Sequence, residues 1–451
     1  MNHLMLILAL IFPLALFAQS PLKAPPAFAY QGSQAVFGDF LSATYQLRYD
    51  IPQRKATYQV HFKVALPRPG HLLFDARTAP QRIRLNGESV SESLLRAPDG
   101  ATSFRVLEKA LPAGDYELEM EGAIAGPVEW HNGGVHAAFW MSDLTDRAFL
   151  EQYLPASFEY DQLAMRFELT FAGAQREQTI YSNGVLLERS LQRQVIEFPP
   201  YFTASSLYFH TAPSGVMAEK RGEYLSVDGR VIPLLIYLKP SFAVRSEAQL
   251  EKLLQQSRAT LAELEAAYGP YPHPALLVYN AGSGGMEYCG ATITSERALG
   301  HEITHFFFAR GAMPANGNAG WFDEAVASWR DSAYPPGGRF EGGANLAGRS
   351  PYARTTARES YAYGAQFIAN LNTHLAPHGG LVPFLRALVQ ESRFVPYEAF
   401  ELVAAMERFY GVSLQEYFQR HTLRTGSARG NKHADHEHHP KVSAQQLRDW
   451  L

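Results

Sequence analysis

The sequence predicts an α+β multidomain chain: an all-β domain first, then a mostly α-helical domain with a small β-sheet. Its 451 residues exceed what one hydrophobic core usually organises. Apolar residues alternate from about residue 40 to residue 240, the period of half-buried strands, and from Ser246 onward they recur at helical spacing. These changes place the domains at 19–240 and 241–425, between an export signal at 1–18 and a His-rich tail at 426–451.

The signal is read from Leu4 to Ala18, an almost unbroken apolar run followed by Gln19, Ser20 and a Pro-rich stretch. The run is short for a bilayer span, so the expectation is an exported protein, periplasmic or extracellular, with no stable membrane insertion once the signal is removed. In the β-half, Tyr58, Val60, Phe62, Val64 and Leu66 face one way while Gln59, His61 and Lys63 face the other. Leu163, Met165, Phe167, Leu169 and Phe171 repeat the pattern. Asn86-Gly87, behind Arg82-Ile83-Arg84-Leu85, predicts a two-residue hairpin turn.

Leu250, Leu253, Leu254, Leu261, Leu264 and Tyr268 then mark a helix that Gly269 stops. A buried strand follows at 275–279. Further helices are predicted at 297–309, 321–332, 359–375, 380–392, 398–410 and 413–423, with a glycine-rich loop over 335–348. The tail loses periodicity and carries His433, His436, His438 and His439, the composition of a solvated appendage. His131 and His136, flanking Asn132-Gly133-Gly134, read as part of a β-domain loop.

A net charge of −4 leaves no basic surplus for a phosphate backbone, which argues against nucleic acid as a partner. Cys289 is the single cysteine, so no intrachain disulfide can form and stability must come from packing and bound metal.

The chemistry concentrates in His301-Glu302-Ile303-Thr304-His305. Two imidazoles one helical turn apart can point at a single ion, for which zinc is the natural choice. A catalytic zinc needs three protein ligands and one open position, and Glu324, in Trp321-Phe322-Asp323-Glu324-Ala325, supplies the third. Asp323 reads as a helix-start or supporting carboxylate. Glu302 turns away from the ion yet reaches a water on it, the position of a general base.

Upstream, Ser283-Gly284-Gly285-Met286-Glu287-Tyr288 joins consecutive glycines to a carboxylate on a strand. With the zinc pattern, this segment resembles the alanyl, or membrane, aminopeptidases of the gluzincin metallopeptidases, a family that includes the leukotriene epoxide hydrolase. The likeness covers most of residues 40 to 424, in a short form lacking the family's long C-terminal helical domain. It implies a thermolysin-like catalytic domain holding one Zn2+ per chain and acting on peptides with a free N-terminus. It further implies that Gly284, Gly285 and Met286 line the substrate backbone and that Glu287 holds the substrate α-amino group. Tyr361, in Ser360-Tyr361-Ala362-Tyr363-Gly364, would be the tyrosine that donates to the oxyanion. Glu151 and Gln152 lie where the family often has a polar residue helping to hold the amine.

The sequence departs from the family where Tyr288 replaces an Asn, Tyr363 replaces a Lys, and Phe306-Phe307-Phe308 follow the second His. The segment between Glu287 and His301 is also unusually short. Two competing readings use the same residues: an endopeptidase or other hydrolase, and a zinc-loaded scaffold that binds peptides without turnover. The second requires a broken catalytic set, and the sequence keeps Glu302, Tyr361 and all three ligands.

Overall fold

The computed structural model describes residues 23–423 apart from 144–146, 239–245, 339, 341–342 and 354. The export signal at 1–18 and the His-rich tail at 426–451 lie outside the described residues. Among those described, no helix is long and apolar enough to cross a membrane.

The largest sheet has eight strands, in the order Val185–Arg189, Arg193–Glu197, Ala164–Ala172, Asp39–Asp50, Lys55–Leu66, Gly114–Ala123, Arg82–Leu85 and Glu88–Ser89. The alternation explains its central strands: Val60, Phe62, Val64 and Leu66 are buried, while Gln59 and Lys63 are exposed. Asn86 and Gly87 both take positive φ, 49° and 83°, and bring Leu85 opposite Glu88, as the dipeptide predicts. A five-stranded and a four-stranded sheet pack with it.

A second five-stranded sheet runs Ala218–Leu225, Val231–Leu238, Leu276–Asn280, Ala291–Thr294, Gly285–Tyr288. Its first two strands lie before the boundary expected near residue 240, yet Leu234 to Leu238 pair in parallel with Leu276 to Asn280. The sheet therefore crosses that boundary. Alternation identifies a strand but not the sheet that receives it. One face of this sheet, with Ile232, Leu234, Ile236, Leu276 and Val278, joins the helical core. The other face, with Tyr237, Leu277, Tyr279 and Ile293, joins the β-rich core.

Seven α-helices stand among the described residues: α1 (Ser246–Tyr268), α2 (Leu299–Phe308), α3 (Trp321–Asp331), α4 (Ala362–His374), α5 (Val382–Glu391), α6 (Ala399–Tyr410) and α7 (Gln415–Thr422). They share the second half with the five-stranded sheet and a two-stranded one, so the chain is α+β, and helix alone does not describe that half. All ten residues of α2 are buried, which accounts for the three consecutive phenylalanines after its second His: that helix has no solvent face to leave polar.

Candidate metal centre

Helices α2 and α3 pack together and carry the site between them. His301 and His305, four residues apart on α2, fall on one face. Their Nε2 atoms lie 3.0 Å apart, and Oε2 of Glu324, from the first turn of α3, lies 3.3 Å from the first and 3.4 Å from the second. Ligands about 2.0–2.1 Å from a tetrahedral zinc stand roughly 3.4 Å from one another. These three donors fit that ion in kind and in spacing, two imidazoles and a carboxylate around one point.

The same residues hold charge among themselves. Burial would push the His301 imidazole down, but hydrogen bonds to Asp331 and Glu324 outweigh it and carry the group up to about 10. Burial would raise Glu324, but the facing His305 and His301 hold it well below the usual carboxylate range.

The Glu302 side chain is buried beside the two imidazoles, and its carboxyl is pushed up to about 8, first by burial and then by Glu287 and Glu324, against the pull of both histidines. Gly285 makes room for it, since a Cβ there would collide with Oε1 of Glu302. Gly284 has φ of 74°, a conformation suited to glycine, and turns the chain into the strand Gly285–Tyr288 at the edge of the sheet. Met286 and Glu287 on that strand are buried.

Tyr361 donates from its hydroxyl to Oε1 of Glu324 at 2.8 Å, and its ring lies parallel to His301 with centroids 6.1 Å apart. Tyr363, two residues on, instead donates to the carbonyl of His421. The structure thus brings His301, Glu302, His305, Glu324 and Tyr361 together.

Glu287 has a partner that the sequence did not announce. Oε1 lies 2.9 Å from Nη2 of Arg310, both side chains 3% exposed, and Arg310 also donates from Nη1 to Ser205 at 2.7 Å. The ion pair lacks hydrogen-bond alignment, so the two attract as charges rather than through a shared proton. Asp143 was also missed. Its carboxyl is raised well above the usual range by desolvation and by the charges of Glu287 and Glu324, which places it electrostatically with the site. The supporting carboxylate on His301 is Asp331 at the end of α3, 2.7 Å from Nδ1, and not Asp323. Asp323 accepts the backbone N–H of Glu324 and is raised to about 7, chiefly by burial. Glu151 and Gln152 are engaged elsewhere: Glu151 accepts from the Phe149 N–H and pairs with Arg77, and Gln152 donates to the Ala148 carbonyl.

The fold that carries this centre is that of the M1 zinc metallopeptidases. The chain superposes on the M1 zinc metallopeptidase from Deinococcus radiodurans with a TM-score of 0.59, at 14% identity, over 89% of this chain and 97% of that one. Legionella pneumophila aminopeptidase A, solved with aspartic acid, gives 0.61 at 12% identity, over 85% of this chain and 49% of that one. Leukotriene A4 hydrolase from Saccharomyces cerevisiae gives 0.60 at 12% identity, over 86% and 69%. The chain thus matches nearly all of the Deinococcus protein and about half of the Legionella one. At such identities the likeness is one of fold. No protein-family model and no curated protein matches the sequence.

Proposed function

We propose that this chain is an exported zinc-dependent aminopeptidase that removes N-terminal residues from peptides. The observation that carries the reading is the convergence of the His301, His305 and Glu324 donors beside a buried Glu302 that a glycine accommodates. His301, His305 and Glu324 would hold the ion. When bound, zinc supplies Lewis acidity toward a water and a peptide carbonyl. Glu302 takes the proton of the attacking water on its carboxylate and passes it to the leaving amine. The Tyr361 hydroxyl, freed from Glu324, donates to the oxyanion that develops on the carbonyl.

Exopeptidase selection rests on charge. Glu287 and Asp143 influence one another and the metal ligands, a surplus of carboxylate that a substrate ammonium relieves. Arg310 offsets part of that surplus, so Asp143 shares the recognition of the amine with Glu287. One Deinococcus M1 structure holds a Tyr-Ser-Ala substrate, a peptide of the class proposed for this chain.

The test is hydrolysis of alanyl-anilide by protein of measured zinc content, against an amino-blocked peptide. Chelator-sensitive release from the free amine, lost in Glu302→Gln, is expected. A protein holding zinc but turning over neither substrate would overturn the reading in favour of a peptide-binding scaffold, and equal cleavage of the blocked peptide would point to an endopeptidase.

A further inference from the structure

A second group of metal-binding side chains stands outside the centre, on the hairpin Val128–His131 and Gly134–Ala138. Cross-strand register sets Glu129 directly opposite His136, and His131 lies two residues along the same strand face as Glu129. Nε2 of His131 is 3.8 Å and Nδ1 of His136 is 3.6 Å from Oε2 of Glu129, and the three donor atoms lie within 4.8 Å of one another. The two edges to Glu129 exceed the roughly 3.4 Å edge of a tetrahedral zinc site by a few tenths of an ångström, and the two solvent-facing side chains, Glu129 and His131, can turn to close the third.

We infer that this hairpin binds a second divalent transition-metal ion, of the zinc or copper class, through Glu129, His131 and His136. The donor set alone is small. What distinguishes it from chance is the support behind its buried member.

His136 is 2% exposed, and Nε2, the ring nitrogen turned away from Glu129, lies 2.7 Å from Nε2 of His210. Nδ1 of His210 lies 2.8 Å from the Tyr237 hydroxyl, which in turn contacts the hydroxyl of Tyr208. Two facing Nε2 atoms can share one proton. An ion on Nδ1 of His136 puts that proton on Nε2 of His136, which donates to His210. His210 then carries its own proton on Nδ1 and donates to Tyr237, whose hydroxyl donates to Tyr208. His136, His210 and Tyr237 each then have an acceptor for their proton, a device like that by which Asp331 orients His301.

The other two donors face solvent, Glu129 at 46% and His131 at 44% exposure, so an ion can enter and retain open positions for water. Imidazole with carboxylate selects borderline ions over calcium or magnesium. Because Tyr237 stacks on Tyr279 of the neighbouring strand, a bound ion would fasten the hairpin to the five-stranded sheet.

The site is tested on the full-length protein by equilibrium dialysis against buffered Zn2+, comparing wild type with Glu129→Ala/His131→Ala. Both substituted side chains are exposed, so the variant should fold, and the His-rich tail contributes equally to both proteins. One zinc per chain fewer in the variant is expected, together with loss of the zinc-induced rise in melting temperature that persists in His301→Ala/His305→Ala. Equal zinc content in wild type and Glu129→Ala/His131→Ala would overturn the inference. Neither result depends on whether the chain hydrolyses peptides.

Discussion

Oδ2 of Asp331 lies 2.7 Å from Nδ1 of His301, on the side of the ring away from the Nε2 that faces Glu324. The carboxylate fixes the tautomer that leaves Nε2 available to an ion and makes that nitrogen a better donor. Asp331→Asn is therefore expected to weaken zinc binding roughly 10–100-fold, read by competition with a chelating dye. Unchanged affinity would remove Asp331 from the site.

Gly285 and Glu302 are coupled by contact. Gly285→Ala is expected to displace the Glu302 carboxylate, lowering kcat by roughly a hundredfold while zinc content stays at the wild-type level. Loss of zinc along with activity would show that the strand supports the ligands instead.

The two neighbouring tyrosines should separate cleanly. Tyr361→Phe removes the hydroxyl that meets Glu324 and is expected to cost on the order of a hundredfold in kcat, whereas Tyr363→Phe removes a hydroxyl that donates to the His421 carbonyl and should leave kcat within about twofold. The measurement is steady-state hydrolysis of an aminoacyl-anilide by both variants.

Arg310 and Glu287 form a buried pair, so removing one partner strands the other. Arg310→Met is expected to destabilise the protein by about 3–5 kcal/mol in urea unfolding, and adding Glu287→Leu should recover most of the loss. Additive losses would mean that the two residues act apart.

Acid lability has a contributor at His273, whose Nε2 donates to the Phe306 carbonyl at 2.9 Å and whose imidazole is held down at about 3 by burial, against 6.5 ordinarily. Between these values the unfolded chain binds a proton that the folded chain refuses. Stability should therefore fall as pH drops through that window, by at most about 1.4 kcal/mol per unit for this group. Urea unfolding at pH 7.5, 5.5 and 4.5 should show a shallower decline in His273→Asn than in wild type.

The helices were legible because their apolar spacing extends over several turns, and each expected helix is found with its ends moved by no more than three residues. The donor set was legible for the same reason, since His301 and His305 are neighbours on one helix and Glu324 opens the next. Asp331 was not, because the sequence offers Asp323 beside Glu324, and only the packing of α3 on α2 reveals that the residue two turns further on meets the ring. Arg310 follows the end of α2, where no periodicity says which way a side chain points. The strands at Ala218–Leu225 and Val231–Leu238 were recognisable as strands, while their membership of the second sheet depends on pairing across distant sequence.

That membership governs how the chain can be cut. A fragment beginning at Ser246 would contain the whole proposed metal centre and yet lack two of the five strands beneath it, leaving Leu276–Asn280 as a bare edge with apolar residues on both sides. Such a piece should precipitate on expression, whereas one starting ahead of Ala218 would keep its own platform intact.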